Sequence, residues 1–217
     1  MTECHNPGLR IRGDYWPPQI EAGYVTQTKE ADQCVETVNG LRVGLGTNFV
    51  EKLRGVVLGI YNRAGDVDGV VLGAMNKGEN LRGIIVGLFK NEFTQSMTGA
   101  GLAIVQSAKQ MYGVFASIAF NATGEDMVGF MPAALNIAGR DMRGFQLGLF
   151  ANTADRDMTG VQASALINDA DGNLYGFQLA EINKGNEIKH FSVGFVNQSE
   201  SCNRMTPLFG FSCPKKT

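Results

Sequence analysis

The stretch GFQLGLFANTADRDM occupies residues 144–158, and GVQASALINDADGNL follows it at 160–174. Each begins with a glycine, continues through an apolar segment, reaches an asparagine and ends in a short polar bend. GFQLAEIN at 176–183 opens in the same way. Repetition at so short a period indicates a tandem array in which every copy is one structural unit.

The same frame extends outward from these copies in both directions. A glycine recurs every 14 to 16 residues, and His190 takes its place in the last copy; the glycines are Gly40, Gly55, Gly69, Gly83, Gly99, Gly113, Gly129, Gly144, Gly160 and Gly176. We number positions from this glycine, which is slot zero. Slot minus two is apolar in every copy, and slot four is always glycine, alanine or serine.

Slots one, three and five are mostly apolar, as in Val56, Leu58 and Ile60. Alternation with a period of two is typical of a strand with one face toward a core. We therefore expect slots one, three and five to face the interior and slot two to face outward. A helix is disfavoured because each apolar segment is short and ends in turn residues.

Units of one strand and one polar return predict an all-β fold, a parallel β-solenoid of about ten 14–16-residue coils with N- and C-terminal caps. An antiparallel β-barrel of ten to eleven strands is the alternative. The solenoid is favoured because each copy resembles its neighbour, whereas a meander would give alternate turns different surroundings. The predicted divisions are a cap at 1–39, the array at 40–197 and a cap at 198–217.

Cysteines occur only in the flanks, at Cys4, Cys34, Cys202 and Cys213. Their even number and terminal clustering predict two disulfides, Cys4–Cys34 and Cys202–Cys213, with four reduced thiols as the alternative. Disulfides would place the chain outside the cytoplasm, in the periplasm, on the outer surface or secreted. The alternative location is the cytoplasm. No metal site and no cofactor are predicted, since the sequence has no CxxC motif.

Composition and motifs argue against several functions. The net charge is −2 with no basic run, which argues against nucleic-acid binding. Only two histidines occur and no hydrolase or nucleotide motif is present, so we expect no catalytic residues and no enzyme. The alternative enzyme is a glycan-cleaving solenoid that uses carboxylates such as Asp141, Asp157 or Glu181, although our frame does not bring these acids together as a pair.

Candidate binding residues come from the slots expected to face outward. At slot two, Gln146, Gln162 and Gln178 would form a polar strip for glycan or protein, or a self-satisfied amide ladder. In the first half the same slot holds Val57, Val71 and Ile85, and slot six adds Tyr61 and Phe89. These residues would make an apolar patch that needs a cover: residues 1–39, a second copy in a homodimer, or a foreign partner. In a membrane barrel they would face lipid.

The copies at 144–158, 160–174 and 176–187 resemble the tandem GVQxGLxNxA repeats of bacterial surface-repeat proteins, known from leptospiral lipoproteins and their Bacteroidetes relatives. The resemblance spans residues 40–197, although Val57, Val71 and Ile85 stand where the repeats have glutamine. It implies an exported or surface location and supplies no catalytic residues. We therefore expect a non-catalytic repeat protein that presents a β-sheet face to a protein or glycan at a cell surface. Membrane association would require a barrel or a lipid anchor that the sequence does not show.

Overall fold

A computed structural model describes the backbone of residues 4–7, 10–12, 19–30, 33–188, 191–199 and 204–211. Side chains are described for residues 39–44, 51–186, 191–199 and 206–209. The described chain is almost entirely extended and contains no helix. Its strands are β1 (Cys4–Pro7), β2 (Arg10–Arg12), β3 (Gln19–Glu30), β4 (Gln33–Thr123), β5 (Met127–Ala138), β6 (Met142–Ala154), β7 (Met158–Ser164), β8 (Ile167–Leu179), β9 (Ile182–Ile188), β10 (Phe191–Ser199) and β11 (Arg204–Phe211).

Successive turns pair in parallel and in register, and this arrangement confirms the predicted solenoid of about ten turns and excludes the antiparallel barrel. Gly129 pairs with Gly144, and Gly144 pairs with Gly160. Asn136 likewise pairs with Asn152. Each turn therefore has a glycine segment and an asparagine segment, and a register shift between Ala133 and Leu135 marks the bend that separates them.

The chain forms two compact units, Met1–Ile104 and Val105–Thr217. In the first unit, β3 pairs antiparallel with Gln33–Gly44 of β4. In the second unit, β11 pairs antiparallel with β10. Strand direction thus reverses near both ends of the array, while the predicted cap boundaries at 39 and 198 stay predictions.

The interior of the glycine segments is lined by slots minus two and two, which corrects the expected sidedness. Met142, Gln146 and Asn152 are buried, whereas Phe145 and Leu147 are exposed. Slots one, three and five therefore face outward and slot two faces inward. The physical reason is that the strand runs without a break from slot minus two through the glycine, so slot two shares the inward direction of the apolar residue at slot minus two.

The small residues at slot four make room for the asparagines inside the coil. A Cβ on Gly148 would lie 2.8 Å from Oδ1 of Asn152, and a Cβ on Gly73 would lie 2.6 Å from Oδ1 of Asn76. Slot four therefore leaves space for a column of buried amides.

Candidate interaction surface

Large apolar side chains cover the outer side of the glycine segments in both units. In the first unit the exposed members at slots one, three and five are Leu41, Ile60, Leu72, Ile84, Val86, Leu88 and Leu102. In the second unit they are Val114, Ile118, Phe130, Phe145, Leu147, Leu149, Leu179 and Phe195. We call the second set, with the smaller residues at the same slots, the apolar face. Contiguous apolar surface on this scale marks an interaction site in soluble proteins.

The apolar face has a row of large side chains directly beside a row of small ones. Phe145 and Leu147 pair across the strands with Val161 and Ala163. Leu149 is 61% exposed. The carbonyl oxygen of Leu149 accepts a hydrogen bond from the amide of Ala165 at 3.3 Å. We call Phe145, Leu147 and Leu149 the ridge, and Val161, Ala163 and Ala165 the trough.

A groove of about 360 Å³ opens at the trough. Its lining includes Ala165, Leu179, Val193, Phe195 and Phe209, and its carboxylate is that of Glu181. This volume falls within the range of pockets that hold small ligands or single protruding side chains. The groove therefore extends from Ala165 of the trough to Phe209 of β11.

Phenylalanines in successive turns contact one another along slot one. The rings of Phe130 and Phe145 have centroids 5.9 Å apart and are tilted by 56°. Phe191 lies between Phe177 and Phe209, with centroids 5.9 and 5.8 Å away. Ring pairs at these distances add to the stabilisation that burial provides, so they hold this edge of the face in a fixed shape.

The outer side of the asparagine segments differs, because the column that follows each asparagine carries mostly polar residues. Thr153, Asp169 and Lys184 occupy equivalent positions in consecutive turns. Lys184 Nζ lies 3.7 Å from a carboxylate oxygen of Asp169. Ile137 is the exposed aliphatic residue in this column. The two outer sides of the second unit therefore have different chemistry, and the apolar one is the candidate for docking.

The predicted glutamine strip exists as a ladder, but it lies inside the coil. Gln162 donates to Oε1 of Gln146 at 2.9 Å, and Gln178 donates to Oε1 of Gln162 at 2.9 Å. All three side chains are buried, so the prediction that they form a ligand-binding strip is wrong. The amide ladder that we considered as the alternative is the arrangement found, with Oε1 of Gln178 buried at its end and accepting no hydrogen bond among the described residues.

Of the other candidate binding residues, some are buried and some are exposed. Val57, Val71 and Ile85 are buried in the first unit, so their assignment to an exposed patch was wrong. Phe89 is 54% exposed and Tyr61 is partly exposed, in keeping with an outward slot six. The period-two alternation in the sequence does predict the exposed apolar side of the glycine segments, provided that slot two is assigned to the interior.

Asparagines form a second internal ladder in each unit. Asn152 donates to Oδ1 of Asn168 at 2.9 Å and to the carbonyl of Ala163 at 2.8 Å, while its own Oδ1 accepts from Asn136 at 2.8 Å. In the first unit, Asn62 donates to Asn76 at 2.8 Å. Buried amides satisfied in this way stabilise the stack, and they leave no amide group of this column directed to a ligand.

The carboxylates proposed for glycan cleavage are not all separated, as the alignment of the repeats had suggested. Asp141 and Asp157 lie at the same bend in adjacent turns, where the amide of Asp157 donates to Oδ1 of Asp141 at 3.4 Å. Oδ1 of Asp157 accepts from the amide of Asn173 at 2.8 Å. Glu181 instead lies at the groove. The structure therefore brings together two of the three acids, and each of those two accepts a backbone hydrogen bond from the next turn.

The same bend holds a small charged cluster. Arg140 donates to Asp126 at 2.9 and 3.2 Å, and this pairing lowers the pKa of Asp126. A hydrogen bond from Lys109 lowers the pKa of Glu125. The hydrogen bond to Asp126 in turn raises the pKa of Arg140. The side chains of Lys109, Glu125, Asp126 and Arg140 keep contact with solvent, and their ion pairs link neighbouring turns.

Cys4 in β1 and Cys34 in β4 lie on opposite edges of β3. Two strand spacings, about 9.6 Å, separate β1 from β4, whereas a disulfide requires Cα atoms within about 7 Å. The described backbone does not bring this predicted pair together. Cys202 and Cys213 fall outside the described residues, so their pairing stays a prediction.

Among the described residues, no group of three or more His, Cys, Asp or Glu side chains is arranged to hold a metal ion. No helix in that part of the chain is long and apolar enough to cross a membrane. No known protein family, curated protein or solved structure matches the chain.

Proposed function

We propose that this chain is an exported or surface-located, non-catalytic repeat protein that recognises a protein partner through its apolar face. The observation that carries the proposal is the exposure of a continuous set of phenylalanine, leucine and isoleucine side chains on a rigid sheet. Aromatic residues, phenylalanine among them, are enriched in protein interfaces, and the buried core of an interface is more apolar than the rest of the protein surface. The export component rests on the resemblance of the GFQLGLFAN-type copies to surface repeats.

A protein partner fits this surface better than a glycan does. Glycan recognition requires hydrogen-bonding groups that match sugar hydroxyls, and the outward residues of the ridge and the trough are all aliphatic or aromatic. The buried glutamines that we first considered for this purpose bond to one another. Dehydrating the apolar face against another apolar surface releases about 25 cal/mol for each Å² buried.

The test is selection from a displayed random-peptide library on chain immobilised at low density, so that copies cannot pair. We expect aromatic and aliphatic peptides to be enriched, and to lose binding when Leu147→Ser and Leu149→Ser are combined. Ile137→Ser is the matched control, because it removes an exposed aliphatic side chain from the polar side. Peptides that bind all three chains equally, or a selection that enriches none, would contradict the proposal.

The glycan-cleaving alternative has its own test. Asp157→Asn keeps an oxygen that can accept from the amide of Asn173, so the bend is preserved while the acid is lost. We expect the wild-type chain to release no reducing ends from a panel of polysaccharides. Hydrolysis that disappears in Asp157→Asn would replace the binding function by an enzymatic one.

A further inference from the structure

The relief of the apolar face is self-complementary in a specific way. The ridge of Phe145, Leu147 and Leu149 lies one strand spacing from the trough of Val161, Ala163 and Ala165, slot against slot. A twofold axis that runs parallel to the strands, midway between these rows, would place the ridge of one copy over the trough of another. The same rotation repeats the contact with the roles exchanged, as an isologous interface requires.

We propose that the occupant of the apolar face is a second copy of this chain, packed sheet on sheet about this axis. The inference rests on the proposed function, since it names the partner of the same face. In this arrangement Leu147 faces Ala163 and Leu149 faces Ala165, each pairing a large side chain with a small one. An axis perpendicular to the strands would instead oppose Leu147 to itself and leave the trough unfilled, so the relief selects the first orientation.

The rows farther from the axis do not repeat the large-to-small pairing. Ala134 comes opposite Glu181, whose exposed carboxylate must keep its contact with solvent at the open groove, and Phe130 comes opposite Phe177. Ile118 and Phe195, which are 74% and 69% exposed, meet at the ends of the interface. The alternation of Ile118, Ala134, Leu149 and Ala165 along slot five gives the face its corrugation.

The area of the face sets what a dimer must bury. The rows that start at Gly113, Gly129, Gly144, Gly160, Gly176 and Phe191 span about 29 Å at 4.8 Å per strand, and slots one to four, which precede the bend, span about 13 Å. The flat part of the face is therefore roughly 380 Å² per copy, to which the side chains at the bend add. Specific interfaces bury about 800 Å² of accessible surface on each partner, so the dimer requires the side chains of slots five and six as well as the flat part.

A lipid surface suits the face less well. Slot minus one along its edge carries Tyr112, Val128, Arg143, Thr159 and Tyr175, with no basic row to attract anionic headgroups. Arg143 itself lies 3.9 Å from the carboxylate of Asp141. A fluid bilayer also gains nothing from a ridge beside a trough, whereas a second copy does.

The experiment is sedimentation equilibrium of the full chain and of two single variants, Leu149→Lys and Ala165→Glu, alone and mixed. We expect the wild type to dimerise. Each variant alone should dimerise at least about 100-fold more weakly, because the introduced charge is buried opposite an apolar side chain. An equimolar mixture should recover a heterodimer, since the introduced lysine then meets the introduced glutamate across the axis. Ile137→Lys on the polar side should dimerise as the wild type does.

An uncharged series protects the test against misfolding. Leu149→Ala leaves a void and Ala165→Leu crowds the trough, whereas the two changes combined restore a large-to-small contact and should restore the dimer. A dimer unaffected by all these changes would place the interface elsewhere and overturn the inference. A wild type that stays monomeric while still selecting apolar peptides would overturn it and leave the proposed function standing. A monomer that selects no peptide, or that floats with zwitterionic vesicles instead, would overturn both.

Discussion

The slot-zero glycine satisfies two separate constraints at once. Gly144 has φ of 119°, a conformation that side chains rarely adopt, and a Cβ there would overlap the carbonyl oxygen of Gly129 in the previous turn. The overlap is with backbone, so it cannot be relieved by turning a side chain. The repeat period is therefore enforced by sterics as well as by hydrophobic pattern.

We predict that Gly144→Ala lowers the free energy of unfolding by about 2–4 kcal/mol, through backbone strain and displacement of the adjacent turn. Gly124→Ala is the matched control, because nothing lies within 4 Å of the Cβ that it adds. Urea unfolding followed by circular dichroism measures both. Equal losses in the two variants would show that the glycine column has no special role.

Glutamine at slot two is held by its neighbours in the ladder. We predict that Gln162→Met costs about 1–3 kcal/mol, because Oε1 of Gln146 then has no donor in a buried site. Changing Gln146, Gln162 and Gln178 together to methionine should cost less than the single change, since hydrophobic residues already fill this column in other turns. A triple variant whose loss equals or exceeds the sum of three single losses would contradict the ladder.

At the residue scale the sequence predicted which residues form columns, but it assigned four columns, slots one, two, three and five, to the wrong side. The Met column at slot minus two and the asparagine column are both buried. The prediction for slot two was wrong because we assumed that slots one, three and five, which are the more apolar set, face the core. In a narrow coil the interior is filled by one large side chain, small residues and amides, so the more apolar set can lie outside.

Among the elements, the polar bend links turns through charge. Arg140 and Asp126 belong to neighbouring turns, and their contact lowers the pKa of the carboxylate. A group whose pKa is lower in the folded state contributes stability above its unfolded pKa and loses it as the pH falls. The Arg140–Asp126 ion pair should therefore weaken below about pH 3.9, which is the pKa of aspartate in an unfolded chain.

The corresponding prediction compares the wild type with Asp126→Asn. The urea midpoint of the wild type should fall more steeply than that of the variant between pH 4 and pH 2.5, because only the wild type must protonate this carboxylate. The difference should shrink at high salt, since the pair is partly exposed. Two curves that stay parallel across this window would show that the contact contributes nothing.

The bends also show where sequence reasoning was limited. Asp126, Asp141 and Asp157 all stand at slot minus three, so their stacking could have been read from the frame. What the frame could not give is the hydrogen bond from each following turn, which depends on the backbone at the bend. Their role as turn-to-turn acceptors therefore emerged only from the structure.

For the whole molecule, the fold class was predictable and the docking surface was not. Periodicity fixes which residues are equivalent, and parallel stacking then follows from the likeness of neighbouring copies. The direction in which each column points depends on how the glycine joins slots minus two and two, which composition does not reveal. The relief of the ridge and the trough depends further on register between turns.

The stacking of turns is measured most directly by electron–electron resonance distances between spin-labelled amino acids on the polar side. Ala122, Asp169, Lys184 and Gln198 lie in one column, and from Ala122 the others are three, four and five turns away. With labelled chain diluted in unlabelled chain, we predict distances near 14, 19 and 24 Å, rising by about 4.8 Å per turn. Distances that fail to rise in equal steps, or that shorten between the second and third pairs, would contradict the account.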